Sequence, residues 1–140
     1  MGGKMSRNKG QRGEREVISY LQPVVDRVAE SYAITPPMLQ RNLLQSHAGG
    51  HDVFGLHWLA LEVKLCETYN LNAWWEQTLE QAQGVAEPVL WYRRSRVPWR
   101  VRMYGYLDRD RRERVLVDIV VEDFITYFEY RLIQEMKPSE

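Results

Sequence analysis

Trp58-Leu59-Ala60-Leu61-Glu62-Val63-Lys64-Leu65 is the stretch on which the fold turns. In an extended chain Leu59, Leu61, Val63 and Leu65 point one way, and Trp58, Ala60, Glu62 and Lys64 point the other, because successive strand side chains alternate between faces. Apolar residues on both faces mark a strand near the middle of a sheet. Such a strand seldom turns a carboxylate and an ammonium inward without a partner or a metal, because burying unpaired charge is costly. A solvated strand face would carry the same triplet, but the flanks Leu59-Ala60-Leu61 and Leu65-Cys66 are too apolar for that.

Upstream, His47-Ala48-Gly49-Gly50 reads as a turn, since paired glycines supply the backbone freedom of a tight reversal, and a short strand is expected from Asp52. Residues 38–46 follow the stiff break Thr35-Pro36-Pro37 and are read as strand, although their pattern also suits a helix. From Gly13 on, Val17, Ile18, Leu21, Val24, Val25 and Val28 recur at helical spacing. Pro23 predicts a kink there, or two shorter helices meeting near Gln22. Residues 1–11 are glycine-rich and basic with almost no apolar side chains, which predicts a flexible basic arm.

Downstream, Asn70 or Asn72 caps a helix that carries Trp74, Trp75, Thr78, Leu79 and Ala82 and ends near Gly84. Residues 88–92 and 99–104 read as strands joined by an arginine-rich hairpin, residues 115–121 as another strand and 124–136 as a closing helix. The apolar residues of that helix, Phe124, Ile125, Tyr127, Phe128, Leu132 and Ile133, either pack on the core or pair two subunits. The expected architecture is α/β, a mixed central β-sheet flanked by helices. It divides into an arm (1–11), a core (12–104) and a strand-and-helix extension of the same domain (105–140).

The chain has 140 residues, with 19 Lys and Arg against 19 Asp and Glu, so the formal charge is zero and the total points to no polyanion. Its distribution does. Basic residues gather at Lys4, Arg7, Lys9, Arg12 and Arg15, at Arg93, Arg94, Arg96, Arg100 and Arg102, and at Arg109, Arg111, Arg112 and Arg114. Local charge sets the field near a surface, so a neutral protein can still offer DNA a positive face. The single cysteine, Cys66, can form no internal disulfide, and no zinc-type spacing surrounds it, which suits a reducing, intracellular setting. With no apolar signal region and no long apolar run, a cytoplasmic protein is expected.

Asp52 precedes Glu62 by about one strand. Two carboxylates converging on one point make a hard, oxygen-rich site for Mg²⁺ or Mn²⁺, and a neighbouring lysine can orient or help deprotonate water. That set suits phosphodiester hydrolysis.

Three stretches carry a resemblance to a known family. Lys9-Gly10-Gln11-Arg12-Gly13-Glu14-Arg15-Glu16 is similar to the opening helix motif of archaeal-type Holliday junction resolvases, members of the PD-(D/E)xK nuclease superfamily. Gly50-His51-Asp52-Val53 followed by Leu61-Glu62-Val63-Lys64 resembles their catalytic hairpin, and Glu87-Pro88-Val89-Leu90 with Pro98-Trp99-Arg100-Val101 resembles the end of that domain. The likeness spans roughly residues 8 to 104, and small phage-encoded endonucleases share it, down to a helix like Leu71-Asn72-Ala73-Trp74-Trp75. It implies a restriction-endonuclease-like core acting in a bacterial host cell. It also implies metal ligation by Asp52, Glu62 and the Val63 carbonyl, with Glu14 reaching in from the first helix, and water positioned by Lys64.

Two departures stand out. His51 replaces the usual proline, and the serine often found ahead of the aspartate has only Ser46 nearby. Gln77 and Gln81 lie one turn apart on the following helix, and Gln81 is the candidate for the supporting glutamine of related nucleases. Glu14 could equally serve the helix dipole, His47 and His51 could be solvated turn residues, and the tryptophans are read as core. Lys9, Arg12, Arg15, Arg93, Arg94 and Arg96 are the candidates for contact with DNA phosphates. The expected activity is metal-dependent hydrolysis of DNA, by paired nicks across a four-way junction in a homodimer. The rivals are a nuclease acting on flaps, single strands or duplex, and a catalytically silent DNA-binding protein.

Overall fold

The computed structural model describes residues 3–42 and 52–138. Along the chain run α1 (Gly3–Ser31), β1 (Gln40–Arg41), β2 (Val53–Phe54), β3 (Leu59–Leu65), α2 (Leu71–Ala82), β4 (Glu87–Arg93), β5 (Arg100–Tyr106), β6 (Arg114–Val120) and α3 (Val121–Met136). The strands form one mixed sheet in sequence order, parallel between β3 and β4 and antiparallel at every other pairing. A parallel pair needs a crossover, and α2 supplies it.

Alternation along β3 sorts the two faces as its sequence requires. Leu59, Leu61, Val63 and Leu65 join the main core with Val17, Leu21, Val24, Val25 and Val28 of α1. Glu62 and Lys64 lie on the other face, in register with Leu90 and Tyr92 of β4, where Trp75 of α2 packs. Trp58 falls just before the strand and packs on Phe128, 6.0 Å between ring centroids, so it does not follow the strand's alternation. Gly13 lets α1 approach closely. A Cβ there would lie 3.3 Å from both Leu65 Cβ and Val63 Cγ1, and 3.4 Å from the Trp99 ring.

Three expectations need correction. The helix begins at Gly3, so the described part of the segment read as an arm is helical: once a helix is nucleated downstream, residues such as Lys, Arg and Gln extend it at little cost. Pro23 does not divide α1 into two helices. The lost hydrogen bond and ring clash cost about 3 kcal/mol. Burying Leu21, Val24 and Val25 beside it offsets that, at about 1.5–3 kcal/mol for each such side chain. Asn70 takes the N-cap position of α2, yet its side chain makes no capping bond.

Of the segment 38–46, Gln40 and Arg41 are strand; Ser46 and the turn at 47–50 lie outside the described residues, as does His51. The C-terminal elements are part of the body of the fold. β6 pairs with β5 along its whole length, and Phe124, Phe128 and Leu132, one helical turn apart, are fully buried against the core.

Candidate active site

Asp52 enters β2, whose pairing with β3 sets Val53 opposite Leu61. Its backbone N–H donates to the Leu61 carbonyl at 3.0 Å, and its Oδ2 accepts the Val63 N–H at 2.8 Å. The carboxylate is therefore clamped to the strand that carries Glu62 and Lys64. Asp52 is 3% exposed and Glu62 1%, while Lys64 is half-buried.

Both Glu62 oxygens are buried without a hydrogen-bond partner among the described residues, as is Trp91 Nε1. The indole has a bland explanation, because the rings of Tyr20, Trp99 and Phe124 surround it and ring faces accept N–H weakly. The carboxylate has none. Burial above all, then the nearby Asp52 charge, pushes the Glu62 pKa far up, against a smaller pull downward from Lys64. A hydrogen bond between Glu62 and Asp52 adds to that rise, and it exists only when one of the two holds a proton; with both ionised, two acceptors face each other. The pair needs a proton or a cation.

Glu14 reaches the same region from α1. It is 6% exposed, and burial followed by the Asp52 charge raises its pKa to about 7, while Arg41, Arg15 and Lys64 pull it down. Arg41 Nη1 stands 3.9 Å from Glu14 Oε1. The sequence reading passed over Arg41, whose only local signal was a basic residue in a strand of uncertain pattern. Gln81 is half-buried on α2, and its side chain makes no hydrogen bond to another described residue. Among the described residues no three histidine, cysteine or acidic side chains close into a ready-made metal cage. Even so, a buried carboxylate with no donor among the described residues, beside a second carboxylate, fits a hard cation, which would satisfy its oxygens.

The basic candidates divide. Lys9 Nζ binds Glu67 at 3.0 Å. Arg93 Nη2 binds both Glu16 oxygens, at 2.9 and 2.8 Å, and its guanidinium lies 5.1 Å from the Trp99 ring centroid. These two charges are engaged within the fold. Arg12 and Arg15 are exposed, Arg12 with a loose 3.7 Å pairing to Glu16; Arg94 lies over the Tyr69 ring, and Arg96 is exposed. No helix among the described residues is long and apolar enough to cross a membrane.

No family model and no curated protein matches the chain. Among solved structures it is similar to the Holliday junction resolvase Hjc of the archaeal hyperthermophile Archaeoglobus fulgidus, with 17% identity, a TM-score of 0.50, and coverage of 84% of this chain and 96% of that one. At that identity the likeness is one of fold: this chain has a mixed α/β, restriction-endonuclease-like architecture, similar to that of an archaeal Holliday junction resolvase.

Proposed function

We propose that the protein is a metal-dependent endonuclease that hydrolyses DNA phosphodiesters and resolves four-way junctions by paired nicks. The observation that carries this reading is Glu62, a fully buried carboxylate with no donor among the described residues, set beside Asp52 and two residues before Lys64 on a central strand. Asp52, Glu62 and the Val63 carbonyl would hold Mg²⁺ or Mn²⁺, with Glu14 at the margin. When bound, such an ion supplies positive charge to the phosphate and makes water a better acid.

The remaining work falls to the chain. Val63 N–H fixes the Asp52 carboxylate so that it needs no reorganisation on binding. Lys64, on the same face as Glu62, orients the attacking water. Arg41, 3.9 Å away, offers Glu14 a compensating positive charge. Gln81 on α2 is a supporting residue of the same face. Exposed Arg12, Arg15, Arg94 and Arg96 hold the backbone without reading sequence. A homodimer would place two such sites on opposing strands, and the exposed Leu107, Val115, Leu116 and Tyr130 around the edge strand β6 offer apolar surface for it.

The test is cleavage of a labelled four-way junction beside a matched duplex and a single strand, with Mg²⁺ or Mn²⁺, by wild type and Glu62→Ala. Paired symmetric nicks on the junction alone, reduced about a thousandfold by the substitution, are expected. Cutting of linear or single-stranded DNA would keep the nuclease and remove the junction; no cutting of any substrate would leave a DNA-binding protein.

A further inference from the structure

Past the C-terminal ends of β3 and β4, on the side of α1 that carries Glu16, a cleft of about 690 Å³ opens between α1, the turn leading into β5 and the start of α3. Its volume is in the range of small-molecule sites. Arg93 and Trp99 form part of the lining, and both are held by Glu16: Arg93 through two hydrogen bonds, Trp99 through its Nε1 at 3.3 Å. With Arg93 neutralised, Arg96 and Arg100 are the cations left to the cleft; both are exposed, and neither forms an ion pair among the described residues.

Arg96 sits at φ 65°, in the left-handed region that a side chain adopts at a cost of about 1–3 kcal/mol. The turn around it is closed by Val97 N–H donating to the Arg94 carbonyl at 3.2 Å. The guanidinium is thus presented from a fixed backbone. Tyr20 of α1 lines the cleft with 46% of its surface exposed, its ring 5.7 Å from Trp91 behind it. Glu122 also lines the cleft, so a polyanion threaded through it would meet more repulsion than a single phosphate held by Arg96 and Arg100.

A flat ring with solvent on one side, beside two unpaired guanidiniums, is the pairing that recognises a single unstacked nucleotide. We propose that this cleft takes one unpaired nucleotide of the DNA substrate, its base against Tyr20 and its phosphate between Arg96 and Arg100. The site rests on the nuclease reading for its ligand and deepens it: a fork, or a four-way junction opened at its branch point, exposes unpaired nucleotides where blunt duplex does not. The base edge is free to meet Glu122, which accepts hydrogen bonds and so favours bases with an amino group facing it.

Binding is measured without metal, by anisotropy of a labelled fork with an unpaired arm and of a blunt duplex, so that cleavage plays no part. Tyr20→Ala is expected to weaken the fork about tenfold and leave the duplex unchanged, with Tyr20→Phe within about twofold of wild type. Arg96→Gln with Arg100→Gln weakens the fork and lowers its salt slope by about one, which the same charge removed at Arg109 and Arg112, on the far hairpin, does not do. If Tyr20→Ala fails to fold, Tyr20→Leu keeps the packing on Trp91 without the flat ring and carries the test. Equal losses on fork and duplex for Tyr20→Ala, or no loss, overturn the nucleotide site alone; a wild type that binds neither DNA, nor a labelled four-way junction, overturns the nuclease reading as well.

Discussion

Glu62 and Glu87 stand on neighbouring parallel strands, 1% and 6% exposed, and the fold treats them in opposite ways. Glu87 is answered on every side. Its Oε1 accepts Arg131 Nη1 at 3.0 Å, its Oε2 accepts the Tyr106 hydroxyl, and its backbone N–H donates to the Trp58 carbonyl at 2.6 Å. Arg131 in turn binds Glu135 at 3.0 Å and the Tyr127 hydroxyl at 3.2 Å, and lies 4.6 Å from the Trp58 ring centroid. That network ties β4, β5 and α3 together. Neither Glu62 oxygen has a hydrogen-bond partner among the described residues. A buried carboxylate with its partners in place is a structural clamp; one without them is a cost that only a bound species can recover, which is why the second marks the candidate site and the first does not.

The contrast can be broken most sharply at Arg131. Removing one partner of a buried ion pair strands the other, so Arg131→Met should destabilise the protein by about 3–5 kcal/mol in urea unfolding, while Arg131→Met combined with Glu87→Leu should recover much of the loss. A single-variant loss below about 1 kcal/mol would show that water reaches Glu87 and that its network is not the clamp described here.

Metal should act on one glutamate alone. An ion that binds only the folded state stabilises it by about 2.7 kcal/mol at a hundred times its Kd. Mg²⁺ or Mn²⁺ should therefore raise the melting temperature of wild type and of Glu87→Gln, and leave Glu62→Gln unmoved. An equal rise in Glu62→Gln would place the ion elsewhere.

Local pattern made much of this legible in advance. The alternation of β3 placed Glu62 and Lys64 on one face, and helical spacing identified α1, α2 and α3, because each signal is carried by residues a few positions apart. Long-range partnerships were not readable. Nothing near Arg93 announces that Glu16 holds it, and nothing near Lys9 points to Glu67, so the intramolecular partners of two cations expected to contact DNA were not visible in the sequence. Arg41 beside Glu14 and Arg131 beside Glu87 were missed for the same reason. The single helix through Pro23 and the helical start at Gly3 depart from local propensity because packing and helix continuity override it.

The smallest expected effect is a pH slope, and its sign follows from the site. Without metal, the Glu14 carboxyl of the folded chain is raised to about 7 and that of Glu62 is raised as well, while in the unfolded chain both return to the ordinary 4.5. Between those values the folded state holds protons that the unfolded state has released, so stability falls as pH rises. This contribution is fully present below about 4.5. The Glu14 share is lost as pH passes 7, and the Glu62 share is lost as pH rises through its own raised pKa. Glu67, held down to about 2 by Ser95 and Lys9, acts with the opposite sign but only on the acid side of 4.5, outside this window. Urea midpoints of metal-free wild type should therefore decline from pH 4.5 to 7, with a shallower decline in Glu14→Gln. Saturating Mn²⁺ should remove the decline, because a cation favours the ionised carboxylates that burial opposes. A metal-free midpoint that climbs across the window would mean that Glu14 and Glu62 are ionised and already compensated, and the distinction between Glu62 and Glu87 would fall with it.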